Sequence, residues 1–110
     1  VEITYQTNKI EKNLTDYTEL SKAYGTKAKN IKARLEDLLT AENLETLRWL
    51  PAMKCHELTG NRKGELSIYV SGNYRLVFEP ANEPVPRKDD GGLDWSKITK
   101  IKILSIEDYH

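Results

Sequence analysis

The sequence predicts an α+β domain: an N-terminal strand and two or three helices packed on one face of a mostly antiparallel sheet. Three observations carry this. Apolar residues alternate with period two at the N-terminus, between Glu65 and Phe78, and near the C-terminus. Between the first two of these stretches the apolar period is helical. The helices precede a run of strands instead of alternating with strands, which argues for a segregated α+β arrangement over a doubly wound one. The 110 residues fit one domain, spanning 1–110, with one core.

The elements follow in order. Val1, Ile3 and Tyr5 share one face of a first strand over 1–6. Thr7 or Asn8 is a suitable N-cap for a helix over 9–24, with Ile10, Leu14, Tyr17, Leu20 and Tyr24 as its apolar stripe. Thr15 and Asp16 mark a possible break in it, since both are poor helix formers and either can cap. Gly25 ends this helix. Thr26 is expected to cap a second helix to about residue 40, burying Ala28, Ile31, Leu35, Leu38 and Leu39. Leu44, Leu47 and Leu50 fall on one face of a short third helix that Pro51 stops. Leu66, Ile68 and Val70 alternate with Glu65, Ser67 and Tyr69 in the first strand of a hairpin. Ser71-Gly72-Asn73 is its turn, and 74–78 its return strand. Residues 79–97 hold three prolines and Gly91-Gly92, a connection of a length usually functional or mobile. Trp95 is expected to pin its far end. A last strand over 98–106 closes the sheet.

Composition limits the function classes. No apolar run approaches the roughly 18 residues of a membrane span, and 1–5 alternates like a strand with no secretory pattern. One cysteine, Cys55, cannot form an internal disulfide, which favours a reducing compartment, and one Cys with two His are too few for a structural zinc site. Seventeen Lys plus Arg balance seventeen Asp plus Glu, so bulk charge does not indicate a nucleic-acid binder. The distribution is uneven, however: Lys22, Lys27, Lys29, Lys32 and Arg34 occur with no acid among them. Thr59-Gly60-Asn61-Arg62-Lys63-Gly64 places two cations between glycines just before the hairpin. His56 lies upstream of it, and the only other histidine is His110.

Taken together, Leu50-Pro51, Cys55-His56-Glu57-Leu58, Gly60, Arg62-Lys63-Gly64, Asn73-Tyr74-Arg75 and the terminal Glu107-Asp108-Tyr109-His110 resemble the HigB-type ("killer protein") toxins of bacterial toxin–antitoxin modules, within the RelE/ParE superfamily. The resemblance spans nearly the whole chain, including its element order, and is strongest over 50–78 and 98–110. It implies a RelE-like fold and a cytoplasmic, ribosome-dependent endoribonuclease that cuts mRNA in the ribosomal A site without metal or other cofactor. Its implied partners are the ribosome, mRNA and a cognate antitoxin of helix-turn-helix type, with no membrane. It assigns the chemistry to His56, Asp108, Tyr109 and His110. Two features set this chain apart: toxins of this kind are usually strongly basic, and the 79–97 connection is longer than in compact members.

The residue chemistry is compatible with that reading. Attack by a 2′-OH needs a base, an acid for the departing 5′-oxygen and cations for the phosphorane. Imidazole serves either proton-transfer role near neutrality. His110 suits the acid and Asp108 or His56 the base. Arg62, Lys63 and Arg75 are candidate phosphate ligands, Tyr109 a stacking surface, and the Lys22–Arg34 cations a contact for ribosomal RNA. Each has a plainer alternative. His56 reads equally as a hydrogen-bonded structural residue, His110 as a frayed end, Arg62-Lys63 as a solvated turn, and Arg75 as a strand residue paired with Glu65 across the hairpin. Cys55 reads as a small, partly buried residue. Two rival functions stay open: a ParE-like inhibitor of DNA gyrase that cuts no RNA, and an inactive regulatory protein that only binds its antitoxin.

Overall fold

A computed structural model describes residues 1–108. β1 (Glu2–Tyr5) leads to Thr7, whose hydroxyl accepts from the Ile10 backbone N–H and starts α1 (Asn8–Thr15). Asp16 breaks the helix where the sequence allows it. Its carboxylate accepts from the backbone N–H groups of Thr18 and Glu19 and so begins α2 (Tyr17–Tyr24). Gly25, at φ +57°, turns the chain out of α2. A 3-10 turn over Gly25–Lys27 then runs into α3 (Ala28–Thr40). The expected Thr26 cap is absent: Lys27 holds the cap position, and no side chain caps α3. The continuous turn supplies the entry instead. α4 (Leu44–Arg48) is capped by Asn43. The strands β2 (His56–Glu57), β3 (Leu66–Ser71), β4 (Tyr74–Pro80) and β5 (Lys100–Asp108) follow.

The five strands form one sheet in the order β1-β5-β4-β3-β2. β1 runs parallel to β5, and every other neighbour is antiparallel. β2 was not expected as a strand; two residues are too few to show alternation. One sheet face carries Leu66, Ile68, Leu76, Phe78, Ile101 and Ile103, all fully buried with Leu20, Ile31, Leu38 and Leu44 of the helices. The other face has no helix over it.

Three expected core residues lie elsewhere. Leu39 is 58% exposed, because Ile31, Leu35 and Leu38 already define the buried stripe and Leu39 stands about a quarter turn away. Leu50 is exposed because α4 ends two residues earlier and the helical phase ends with it. Tyr17 is exposed because the break at Asp16 resets the phase set by Ile10 and Leu14; the Lys32 ammonium sits over its ring.

Residues 81–97 fold into an ordered lobe. Asn82 ties its start to β5, accepting from the backbone N–H groups of Thr99 and Lys100. Arg87 and Leu93 form an antiparallel bridge, and Leu93 and Trp95 join the core. The Arg48 guanidinium covers the Trp95 ring at 4.3 Å, so Trp95 does pin the lobe as expected.

Candidate nucleic-acid interface

Strand register places the functional side chains. Residues paired across a sheet point to the same side. On the side away from the helices, His56, Ser67, Val77 and Ser105 make one row. Tyr69, Arg75 and Glu107 make the next, toward the hairpin turn. Ser67 and Val77 are as buried as the core, although Val77 is not part of the main apolar cluster. Arg62, bonded to both Glu65 and Glu107, reaches across this side of the sheet.

The loop before β3 is built to hold Arg62 there. The Leu58 N–H donates to Glu65 O at 2.8 Å, and the Glu65 N–H to Arg62 O at 3.0 Å, closing a tight excursion. Gly64, at φ +99°, allows the exit, and its N–H donates to the Glu57 carboxylate. Arg62 reaches across β3 and β4. It donates to both oxygens of Glu107 at 2.8 and 2.7 Å, and to Glu65 Oε1 through Nε and Nη2 at 3.1 and 2.9 Å. Ser105 Oγ adds a donor to Glu107 at 2.6 Å. The guanidinium, and secondarily the Ser105 hydroxyl, hold the Glu107 carboxyl below the usual range, against partial burial. Arg62 is therefore not the solvated turn residue of the plainer reading.

Arg75 lies with its guanidinium 4.9 Å from the Tyr69 ring and donates to Tyr74 O. The alternative Arg75–Glu65 cross-strand pair is absent among the described residues. Arg75 is in register with Tyr69, and Glu65 is taken by Arg62. The Lys54 ammonium approaches the same ring at 5.0 Å, so one tyrosine collects two cations. The Tyr69 hydroxyl accepts from the Gly72 N–H, which fixes the ring. Lys54 and Tyr69 were not among the sequence candidates. Counting the register back from the Ser71-Gly72-Asn73 turn would have opposed Tyr69 to Arg75, but Lys54 carried no signal.

His56 is exposed on edge strand β2, with Nδ1 3.0 Å from Lys54 O. A carbonyl only accepts, so Nδ1 is the donor in this bond. The two strands bearing His56 and Asp108 are not neighbours. β3 and β4 separate them, three strand spacings or roughly 14 Å. Asp108 is also in register with Tyr74, in the row facing the helices, where Lys27 covers the Tyr74 ring. The remaining terminal candidates, Tyr109 and His110, lie outside the described residues. Lys63 is exposed and has no ion-pair partner among the described residues.

The candidate ribosomal-RNA cations are largely engaged. Lys27 and Lys32 sit over tyrosine rings, Lys22 lies 4.0 Å from Glu19, and Arg34 pairs with Asp37 and donates to Met53 Sδ. Lys29 is exposed. Burial pushes the Cys55 thiol up to about 12, against a smaller opposing pull from Arg48, so its thiolate is scarce near neutrality. No helix among the described residues is long and apolar enough to cross a membrane.

The comparisons with known proteins agree on the class. No curated protein matches the chain. Among solved structures, the chain is similar to a YoeB/ParE toxin from Agrobacterium tumefaciens, with a TM-score of 0.51 and 12% identity over the whole of both chains. At that identity the likeness concerns the fold. Residues 4–88 match the family described as RelE-like toxin of type II toxin-antitoxin system HigB, a span that includes Arg62, Tyr69 and Arg75 and stops before β5. The chain belongs to the HigB-like toxin family.

Proposed function

We propose that this toxin is a ribosome-dependent endoribonuclease that cleaves mRNA in the A site by 2′-OH attack, without a metal, and acts in the cytoplasm. The observation that carries the reading is the uncovered sheet face. It combines Lys54, Tyr69 and Arg75 with His56 and Arg62, the mix of cations, an aromatic ring and a titratable base that phosphate and base recognition require.

In this reading Arg75, Arg62 and Lys63 hold the phosphate. Arg62 does so only by leaving its carboxylate partners, so a bound phosphate competes with Glu65 and Glu107. His56 or Asp108 serves as the base. His110 serves as general acid, and Tyr109 stacks on a splayed base. Lys22, Lys27, Lys29, Lys32 and Arg34 contact ribosomal RNA. The family implies an antitoxin partner; we take it to be of helix-turn-helix type.

The engagement of Arg62 and the zero net charge favour one rival, an inactive regulatory protein that only binds its antitoxin; a ParE-like gyrase inhibitor with no nuclease activity is the other. The test is induced expression of wild type and His110→Ala at equal levels, with transcript integrity and gyrase supercoiling measured side by side. Loss of mRNA and growth arrest in the wild type, both abolished in a variant that still binds antitoxin, is the expected result. Intact transcripts would replace this reading, with the gyrase inhibitor if supercoiling is inhibited and with the regulatory protein if it is not.

A further inference from the structure

Beyond the hairpin-turn end of the uncovered face, the other end is closed by the 81–97 lobe. Between them lies a cleft of about 220 Å³ lined by Lys63, Glu65, Glu79 and Arg87, with Val85 and Leu93 at its wall. Glu65 and Glu79 stand in the same sheet face as Arg62. Glu79 pairs with Lys102 at 3.1 Å, and Glu65 shares the Arg62 guanidinium, at 2.9 Å, with Glu107. Lys63 and Arg87 form no ion pair among the described residues; Arg87 only donates to Gly91 O at 3.0 Å. Counted with those partners, the cleft has four cations (Lys63, Arg87, Arg62 and Lys102) against three carboxylates (Glu65, Glu79 and Glu107), a positive balance in a chain whose total is zero. The lobe holds Arg87 in place through its bridge to Leu93 and the Asp94 N–H bond to Pro86 O.

We infer that Lys63 and Arg87 form a phosphate subsite for single-stranded RNA, and that the 81–97 lobe is a substrate-binding addition to the fold. The inference rests on the endoribonuclease reading above and extends it. From Tyr69 to Glu65 is four strand residues, about 13 Å. The subsite therefore takes the backbone of a nucleotide neighbouring the one held at Tyr69 and Arg75, and adds affinity and register, not chemistry. A protein partner with acidic side chains is the competing occupant. The aromatic and cationic row on the same face favours RNA, because a stacking surface beside spaced cations is how single strands are held.

The test is equilibrium binding of a short 2′-O-methyl single-stranded RNA, which cannot be cleaved, across a salt series. Wild type, Lys63→Ala, Arg87→Ala, Arg87→Lys and Lys97→Ala are compared, with thermal melting to check each fold. Lys97, on the same lobe but beside Asp94, is the control. Lys63→Ala and Arg87→Ala should each weaken binding about 3- to 10-fold and lower the log–log salt slope by about 0.7. Arg87→Lys should keep most of the affinity, and Lys97→Ala all of it. If the wild type binds and Arg87→Ala matches it in affinity and slope, the subsite is wrong while the parent reading stands, because Arg87 has no part in that reading. Loss of antitoxin affinity in Arg87→Ala with RNA binding intact would assign the cleft to protein instead. A wild type that binds no RNA at any salt would overturn the subsite; the parent reading, which acts on the ribosome, is overturned by intact transcripts.

Discussion

The two faces of the sheet share the same strands and reach the same burial by different means. On the helix side Phe78 is fully buried under apolar side chains; one residue away, Val77 is fully buried on a face with no helix. An Arg62–Glu65–Glu107 bridge reaches across that face. An apolar layer gains its stability from surface removed from water and has no polar exchange to offer. An ion-pair cover is held by hydrogen bonds that another anion can take over. The difference teaches where a ligand can enter: the helix side is closed by packing, and the other side is covered by groups that a phosphate can displace.

Substitutions should separate the two regimes, beginning with the largest effect. Phe78→Ala should cost about 3–5 kcal/mol in urea unfolding, as a full core cavity does. Val77→Ala, its neighbour in sequence, should cost only about 2 kcal/mol, for lost transfer energy under a cover that can settle. Equal costs would mean that the two faces are packed alike. Next, Arg62→Met should destabilise by about 1–2 kcal/mol, discounted because the side chain is about a third exposed. A double-mutant cycle with Glu107→Gln should show coupling that shrinks with added salt, which no pair of buried apolar residues on the helix side would do.

The acid limb sharpens the same point. Arg62 holds the Glu107 carboxyl below its ordinary value of 4.5. Its contribution is complete above that value, where the unfolded chain is ionised too, and is lost as pH falls through the lower native one. Wild type should therefore exceed Glu107→Gln in stability at neutral pH, and the two unfolding curves should converge in acid. A gap that persists in acid would remove the ion pair as its cause. The smallest effect is a control on the helix side. Asp16→Ala should cost about 1 kcal/mol for the lost α2 cap and leave RNA binding by the uncovered face unchanged.

What the sequence revealed follows the same division. The helix side was legible because burial there obeys a period: Ile31, Leu35 and Leu38, or Leu66 and Ile68, announce their face. Its errors, at Leu39, Leu50 and Tyr17, are all errors of helical phase near a break or an end. The uncovered face was legible only in part. Arg62 and Arg75 were named from their motif, but their partners were not. Arg62 meets Glu107 across 45 residues of sequence, and no local spacing encodes that contact. Lys54 joins Tyr69 only because the chain turns through β2, a strand too short to announce itself.

The central claim is that the uncovered face, not the basic side of α2 and α3, handles the RNA that is cut. The direct measurement is primer extension on a reporter mRNA in a purified translation system, with and without ribosomes. Wild type, Arg75→Ala and the double variant Lys29→Ala/Lys32→Ala are compared at equal concentration. The account expects cuts within A-site codons that require ribosomes. Arg75→Ala should slow them about 10²-fold or more. The helix-side variant should retain the cutting step once enough toxin is added to saturate the ribosome. Intact mRNA in every lane, or an Arg75→Ala protein that cuts at the wild-type rate, would contradict it.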